Sequence, residues 1–196
     1  MAFVQPVTLT GRHATLEPLS PDHAAGLREA AADGELHQLW YTSVPTPEGM
    51  EAEIRRRLDL QARDLMQPFA VRDAAGRLAG MTTYMNVDGA NRRVEIGSTW
   101  YARRVQRTGL NTECKLMLLR HAFETLDCIA VEFRTHWMNH QSRAAIARLG
   151  AKQDGVLRSH SRMPDGSLRD TVVFSIIASE WPTVRAHLQF QLERPR

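Results

Sequence analysis

The sequence predicts an α/β domain built on a mixed sheet. Strand-like and helix-like segments succeed one another along the chain, and hairpin signals dominate its first half and its end. One strand–helix–strand unit, over residues 94–137, is long enough to bring two strands together in parallel. The length of 196 residues suits a single domain with a buried core.

Residues 7–19 alternate as a strand that turns into Ser20, which caps a helix starting at Pro21 and running to about Ala32, where Asp33 and Gly34 stop it. Pro45 and Pro47 break the chain, residues 48–66 read as a long charged helix, and Pro68 ends it. Apolar, β-rich runs at 69–72 and 78–87 flank the turn at 73–76 and predict an antiparallel hairpin. A strand over 94–101 leads through a basic loop at 102–108 into a helix over 110–126, whose Leu116, Leu119, Phe123 and Leu126 fall at helical spacing. A strand over 129–137, a short helix over 141–149 ended by Gly150, and a closing hairpin of 156–162 and 171–177 follow. Ser179 is placed to cap a C-terminal helix holding Trp181 and Leu188.

Composition narrows the function. No apolar run reaches the ~18 residues of a membrane span, and the opening segment lacks the basic-then-apolar layout of a secretory signal, so the expected compartment is the cytoplasm and no membrane partner is expected. Cys114 and Cys128 are the only cysteines; they make neither a disulfide framework nor a metal-ligand set, and read as inert core thiols. All but two of the 25 basic residues are arginine, yet the net charge is only +3 and the arginines alternate with acids, as over 51–63, so no nucleic-acid partner is expected.

The basic loop carries the first functional signal. Gln106, Arg107, Thr108, Gly109, Leu110 and Asn111 join the 94–101 strand to the following helix, with Arg103 and Arg104 just upstream. A helix start offers unpaired N–H groups and the positive end of the dipole to an anion, Gly109 permits a tight turn and close approach, and the arginines add charge. A pyrophosphate suits this chemistry; a solvated basic turn is the alternative. The spacing fits neither a Walker loop nor a dinucleotide fingerprint. A second signal follows at the end of the 129–137 strand, where Asn139 can offer a donor and an acceptor to amide groups or simply cap a helix.

The loop Gln106-Arg-Thr-Gly109-Leu-Asn111 resembles the Gln/Arg-x-x-Gly-x-Gly/Ala loop of the GNAT superfamily of acetyl-CoA-dependent N-acetyltransferases, with Asn111 at the last small position. The run from Asn111 to Phe123, and Asn139-x-x-Ser142 followed by Leu149-Gly150, are similar to the ribosomal-protein N-terminal acetyltransferase branch. The resemblance covers about residues 8–177. It implies one N-acetyltransferase domain over 1–196, with a mostly antiparallel central sheet flanked by helices, a core over about 8–177 and a C-terminal helix over about 180–192. It further implies acetyl-CoA as co-substrate, held at Arg103, Arg104 and residues 106–111, with Asn139 on the pantetheine arm and Ser142 near the sulfur. Dimers are common in the branch, so a homodimer is one expectation.

Acetyl transfer to an amine needs a neutral nucleophile, a donor to the thioester oxygen, and a proton for the leaving thiolate. Glu95 lies eleven residues before Gln106, and by the resemblance is the leading base; a structural glutamate in the sheet is the alternative. Asp154, before Gly155, resembles the acidic residue of the ribosomal-protein branch and is the second base, or else a turn former. The superfamily's acid tyrosine, seven residues after the asparagine, is replaced by Ile146, which leaves Ser142 as the acid candidate. An unpaired amide near the middle of the 94–101 strand is expected to serve the thioester oxygen. Trp40, Tyr41, Tyr84, Trp100, His136 and Trp137 are candidates to wall the acceptor, Trp40, Tyr41 and Tyr84 foremost, although aromatics are commonly core. The expected activity is acetylation of a primary amine on a small molecule or a protein N-terminus; the alternative is an acyl-CoA-binding sensor without catalysis.

Overall fold

The computed structural model describes residues 2–194. A short hairpin, β1 (Leu9–Thr10) and β2 (Ala14–Pro18), precedes α1 (Ala24–Ala32) and α2 (Met50–Ala62). Next come the meander β3 (Met66–Asp73), β4 (Leu78–Asp88) and β5 (Arg93–Tyr101), then α3 (Leu110–Arg120), β6 (Ala130–His136) and α4 (His140–Ala147). The hairpin β7 (Lys152–Arg162) and β8 (Leu168–Ile177) and the helix α5 (Trp181–Glu193) close the chain. The eight strands form one sheet in the order β1-β2-β3-β4-β5-β6-β8-β7. Only β5 and β6 run parallel, as the strand–helix–strand unit predicted.

Period-two alternation assigns the helices to faces. Thr82 turns its hydroxyl to Lys115 of α3, while its neighbour Thr83 meets Arg57 of α2, so α2 and α3 cover opposite faces of β4. α1 packs with α2, and α5 with α3. Leu16, Phe69, Met81, Tyr84, Leu118 and Ile176 are fully buried between these layers. Both cysteines are free and buried, which pushes the Cys114 thiol up to about 12 and the Cys128 thiol up to about 11. No helix among the described residues is long and apolar enough to cross a membrane.

Three expectations change. The single strand over 7–19 is a hairpin, because the Glu113 carboxylate of α3 accepts the backbone N–H groups of Arg12, His13 and Ala14 at 2.9, 2.5 and 2.8 Å and pins the turn. Helix α2 stops at Ala62, well before Pro68, through a left-handed Asp64 (φ 57°). Pro68 instead lies inside β3, opposite Thr83, where the β2 ladder has already ended at the Pro18–Phe69 pair, so its missing N–H costs no rung. Ser179 does not cap α5: it falls inside a 3₁₀ turn over Ala178–Glu180, and the Glu180 side chain accepts the Ile177 N–H at 3.2 Å.

Candidate active site

The parallel ladder holds for three rungs, Arg93–Ala130, Val94–Val131 and Glu95–Glu132, and then β5 and β6 part. The gap opens into a cleft of about 810 Å³. Glu95 and the rest of β5 line one side, Phe133 to His136 the other, and the first turns of α4 and the segment around Tyr41 complete the walls. From Ile96 onward the edge of β5 that faces β6 has no strand beside it, which leaves main-chain groups turned to the cleft. A β-bulge bends β5 at the same place: the register with β4 shifts between Met81 and Thr83, and Ser98 is left-handed (φ 46°). Arg57, 1% exposed, fixes that bulge from the α2 side, donating to the Ser98 carbonyl at 3.3 Å and to Thr83 Oγ1 at 2.7 Å.

Glu95 stands where the strands separate, 5% exposed, with Oε2 accepting from Asn86 Nδ2 at 2.7 Å and lying 3.5 Å from Arg134 Nε. Burial pushes its carboxyl above the usual range; Asn86 and Arg134 pull it down and Glu132 adds to the rise. Gly97 makes room for it, since a Cβ there would come 2.9 Å from Glu95 Oε1 and 2.7 Å from Met85 Sδ.

Of the basic loop, Gln106, Arg107, Thr108 and Asn111 line the cleft at the start of α3. Thr108 Oγ1 accepts the Leu110 N–H at 3.3 Å, and Gln106 Nε2 donates to the Tyr101 carbonyl at 3.0 Å. Leu110 is buried beneath them. The left-handed residue of the turn is Arg107 (φ 59°), whereas Gly109 has an ordinary helical φ of −69°. The constraint at Gly109 is packing instead: a Cβ would stand 3.0 Å from the His13 ring, which would have to shift. Arg103 and Arg104 do not line the cleft. Arg104 turns to Asp33 and Asp73, both at 3.5 Å, and to the Leu78 carbonyl at 2.6 Å, so its charge is neutralised by structural partners.

Asn139 and Ser142 meet at the cleft wall. Asn139 Oδ1 caps α4 by accepting the Ser142 N–H at 3.0 Å, leaving its Nδ2 donors for another partner. The Ser142 hydroxyl has no hydrogen bond among the described residues, and Ile146 lines the same wall. Asp154 is elsewhere: it is exposed on β7, accepts from Ser175 Oγ at 3.1 Å, and does not line the cleft. Tyr41 lines the cleft and Trp40 stacks edge-on against His136 at 5.3 Å, so the loop between the first two helices reaches the cleft. Tyr84 does not. Its ring is fully buried against Phe69 and His121, and its hydroxyl donates to the Leu118 carbonyl.

Several cleft residues escaped the sequence reading. Lys115, 6% exposed, donates to Thr99 Oγ1 at 2.8 Å and Thr82 Oγ1 at 3.3 Å, and burial pushes its ammonium down to about 8. Arg134, Arg169 and His160 line the cleft beside His136, which was expected there. For Arg134 the available signal was its place two residues before His136, since alternation puts both side chains on one face of β6.

A sheet that divides beside a basic strand-to-helix loop is the architecture of an acetyltransferase domain. The acetyltransferase (GNAT) domain family matches residues 13–152, and the chain belongs to that family. A Bacillus subtilis (strain 168) protein described as "Putative ribosomal N-acetyltransferase YdaF" is 33% identical over 106 residues, which is 54% of this chain and 57% of that protein's length. A GCN5-related N-acetyltransferase from Brucella melitensis superposes with a TM-score of 0.86 at 30% identity, over 96% of this chain and 86% of that one.

Proposed function

We propose that this chain transfers the acetyl group of acetyl-CoA to a primary amine, with Glu95 receiving the amine's proton. The observation that carries the reading is a buried carboxylate with a raised proton affinity, standing where β5 and β6 separate. Residues beside it fit the co-substrate. The start of α3 with Gln106, Arg107, Thr108 and Asn111 suits a pyrophosphate, and the Asn139 amide donors suit a pantetheine carbonyl. Acetyl-CoA supplies an activated acetyl group and a thiolate that leaves.

The chain's own groups account for the remaining needs. Glu95 takes a proton from the ammonium, directly or through water, and passes it to solvent. The free edge of β5 beyond Glu95 offers main-chain N–H donors toward a thioester oxygen. The Ser142 hydroxyl, on the cleft wall, is the nearest replacement for the acid that Ile146 cannot supply. The description of the Bacillus relative, a ribosomal N-acetyltransferase, supports a protein amine as acceptor, a protein N-terminus being the proposed case and small-molecule amines the other class.

Thiol release from acetyl-CoA, measured with a panel of peptide N-termini, amino acids, polyamines and aminoglycosides, tests the reading. Release that depends on the amine, with a mass gain of one acetyl group on it, is expected. Tight acetyl-CoA binding with no amine-dependent release would overturn catalysis in favour of acyl-CoA sensing.

A further inference from the structure

Two side chains of the cleft, His136 and Arg169, are only partly satisfied within the chain. His136 is 5% exposed, and its Nδ1 accepts the Met138 N–H at 3.0 Å, which puts the proton of the neutral ring on Nε2. That Nε2 is buried and has no hydrogen-bond partner among the described residues, and His136 is one of the residues lining the cleft. Arg169 is half-buried on β8 and lines the same wall. Its Nε donates to Thr171 Oγ1 at 3.0 Å, and no carboxylate among the described residues pairs with it. The β6–β8 register sets His136 opposite Thr171, so Arg169, two residues along β8, shares the face of that pair.

The neighbouring charges are already committed. Arg134 is held by Glu132 at 2.9 Å and by Glu95 at 3.5 Å. Asp170 turns to Arg158 at 2.6 Å and to the Ser159 N–H at 2.7 Å. His160 Nδ1 is 3.1 Å from Thr171 Oγ1, completing a wall that carries donors and a fixed positive charge. An unpaired buried donor and an unpaired guanidinium are both costly unless a ligand completes them, and a carboxylate, planar and able to accept two N–H bonds side by side, is the group that completes them.

We infer that Arg169 and His136 form a subsite for a carboxylate carried by the acceptor amine. The inference rests on the acetyl-transfer reading and names its substrate class: an acceptor with an ammonium for Glu95 and a carboxylate for Arg169. Glu95 and Arg169 are close enough for each to act on the other's charge, which matches a small zwitterion or the first residue of an acidic peptide. A second positive charge on the acceptor, as in a polyamine, would face Arg169 and be disfavoured.

Matched acceptors decide between these sources and test the subsite. Alanine against alaninamide reads a free amino acid; a C-terminally amidated tripeptide starting with glutamate against one starting with glutamine reads an acidic N-terminus. In at least one pair the acid is expected to exceed its amide about tenfold or more in kcat/KM, and Arg169→Gln is expected to erase that ratio, costing the acid far more than the amide. Arg169→Lys is expected to restore part of the ratio. Equal rates for acid and amide in both pairs, or an equal loss on acid and amide in Arg169→Gln, would overturn the subsite. Calorimetric titration of the N-acetylated acids and amides reads the same contrast without turnover, so if no amine is acetylated the catalytic reading falls while the carboxylate preference is still decided: tighter acids that lose their advantage in Arg169→Gln support the subsite, and equal affinities overturn it.

Discussion

Glu95 and Glu132 face each other across the last rung that joins β5 to β6. Arg134 serves both, 3.5 Å from Glu95 and 2.9 Å from Glu132, while Arg93 bonds Glu132 alone. Burial acts on both carboxyls; hydrogen bonds from Arg93 and Arg134 nevertheless hold Glu132 below the usual range, and Glu95 is left above it. Two neighbouring acids pushed apart in this way support the proposal that the upper one, Glu95, receives the proton.

The acidic limb of kcat/KM should therefore lie above the ordinary carboxylate range. Glu95→Gln should cost on the order of 10² to 10⁴ in rate at neutral pH. Asn86→Ala removes a donor that stabilises the ionised form, so the limb should move to higher pH; Glu132→Gln removes a repulsion and frees Arg134, so it should move lower. pH–rate profiles of the three variants check this, and a limb that stays in place in both Asn86→Ala and Glu132→Gln would remove Glu95 from the role.

Asp154→Asn should leave kcat/KM within about threefold of wild type, because the carboxylate is exposed on β7 and bonded to Ser175 outside the cleft. A loss comparable to that of Glu95→Gln would reverse the ranking of the two bases.

Gly109→Val should weaken acetyl-CoA binding about tenfold or more by driving a side chain into His13 at the start of α3. Since the φ of Gly109 is ordinary, the fault is steric, and Gly109→Ala should be better tolerated in a His13→Ala background than alone. Calorimetry on the single and double variants reads the coupling.

Lys115 should reduce stability at neutral pH. Its folded pKa of about 8 lies below its ordinary 10.5, so the unfolded chain binds more protons between those values and stability rises with pH across that window. Below it the penalty is complete, about 3 kcal/mol. Thr82 and Thr99 are 2.8 Å apart and can bond each other, so Lys115→Met should stabilise the fold at pH 7 and gain less at pH 9.5. Urea unfolding at both pH values checks the difference; an equal gain at both would show that the buried charge is not its source.

What could be read from the sequence was what is local. The 106–111 loop and the Asn139 cap are formed by consecutive residues at element junctions, and both stand where the spacing put them. The direction of Tyr84 or Arg104 was not local: the first depends on which face of β4 meets α3, the second on Asp33 and Asp73, which reach it only through the tertiary fold. Arg169 and His136 are separated by 32 intervening residues and become neighbours only through the β6–β8 register. Pro68 and Ser179 misled for a related reason, because a proline is harmless where a ladder has ended and a serine caps only if the helix starts directly after it.

The Ser98 bulge is gripped by Arg57, which approaches from the helix layer behind the sheet and is itself steered by Glu53 at 2.7 Å. The curvature of the open edge of β5 is thus governed by residues that do not line the cleft. Slow variants of this protein should accordingly map to positions 53 and 57 as well as to the cleft, and the amides around Ser98 should exchange faster with solvent in those variants although every residue facing the substrates is intact.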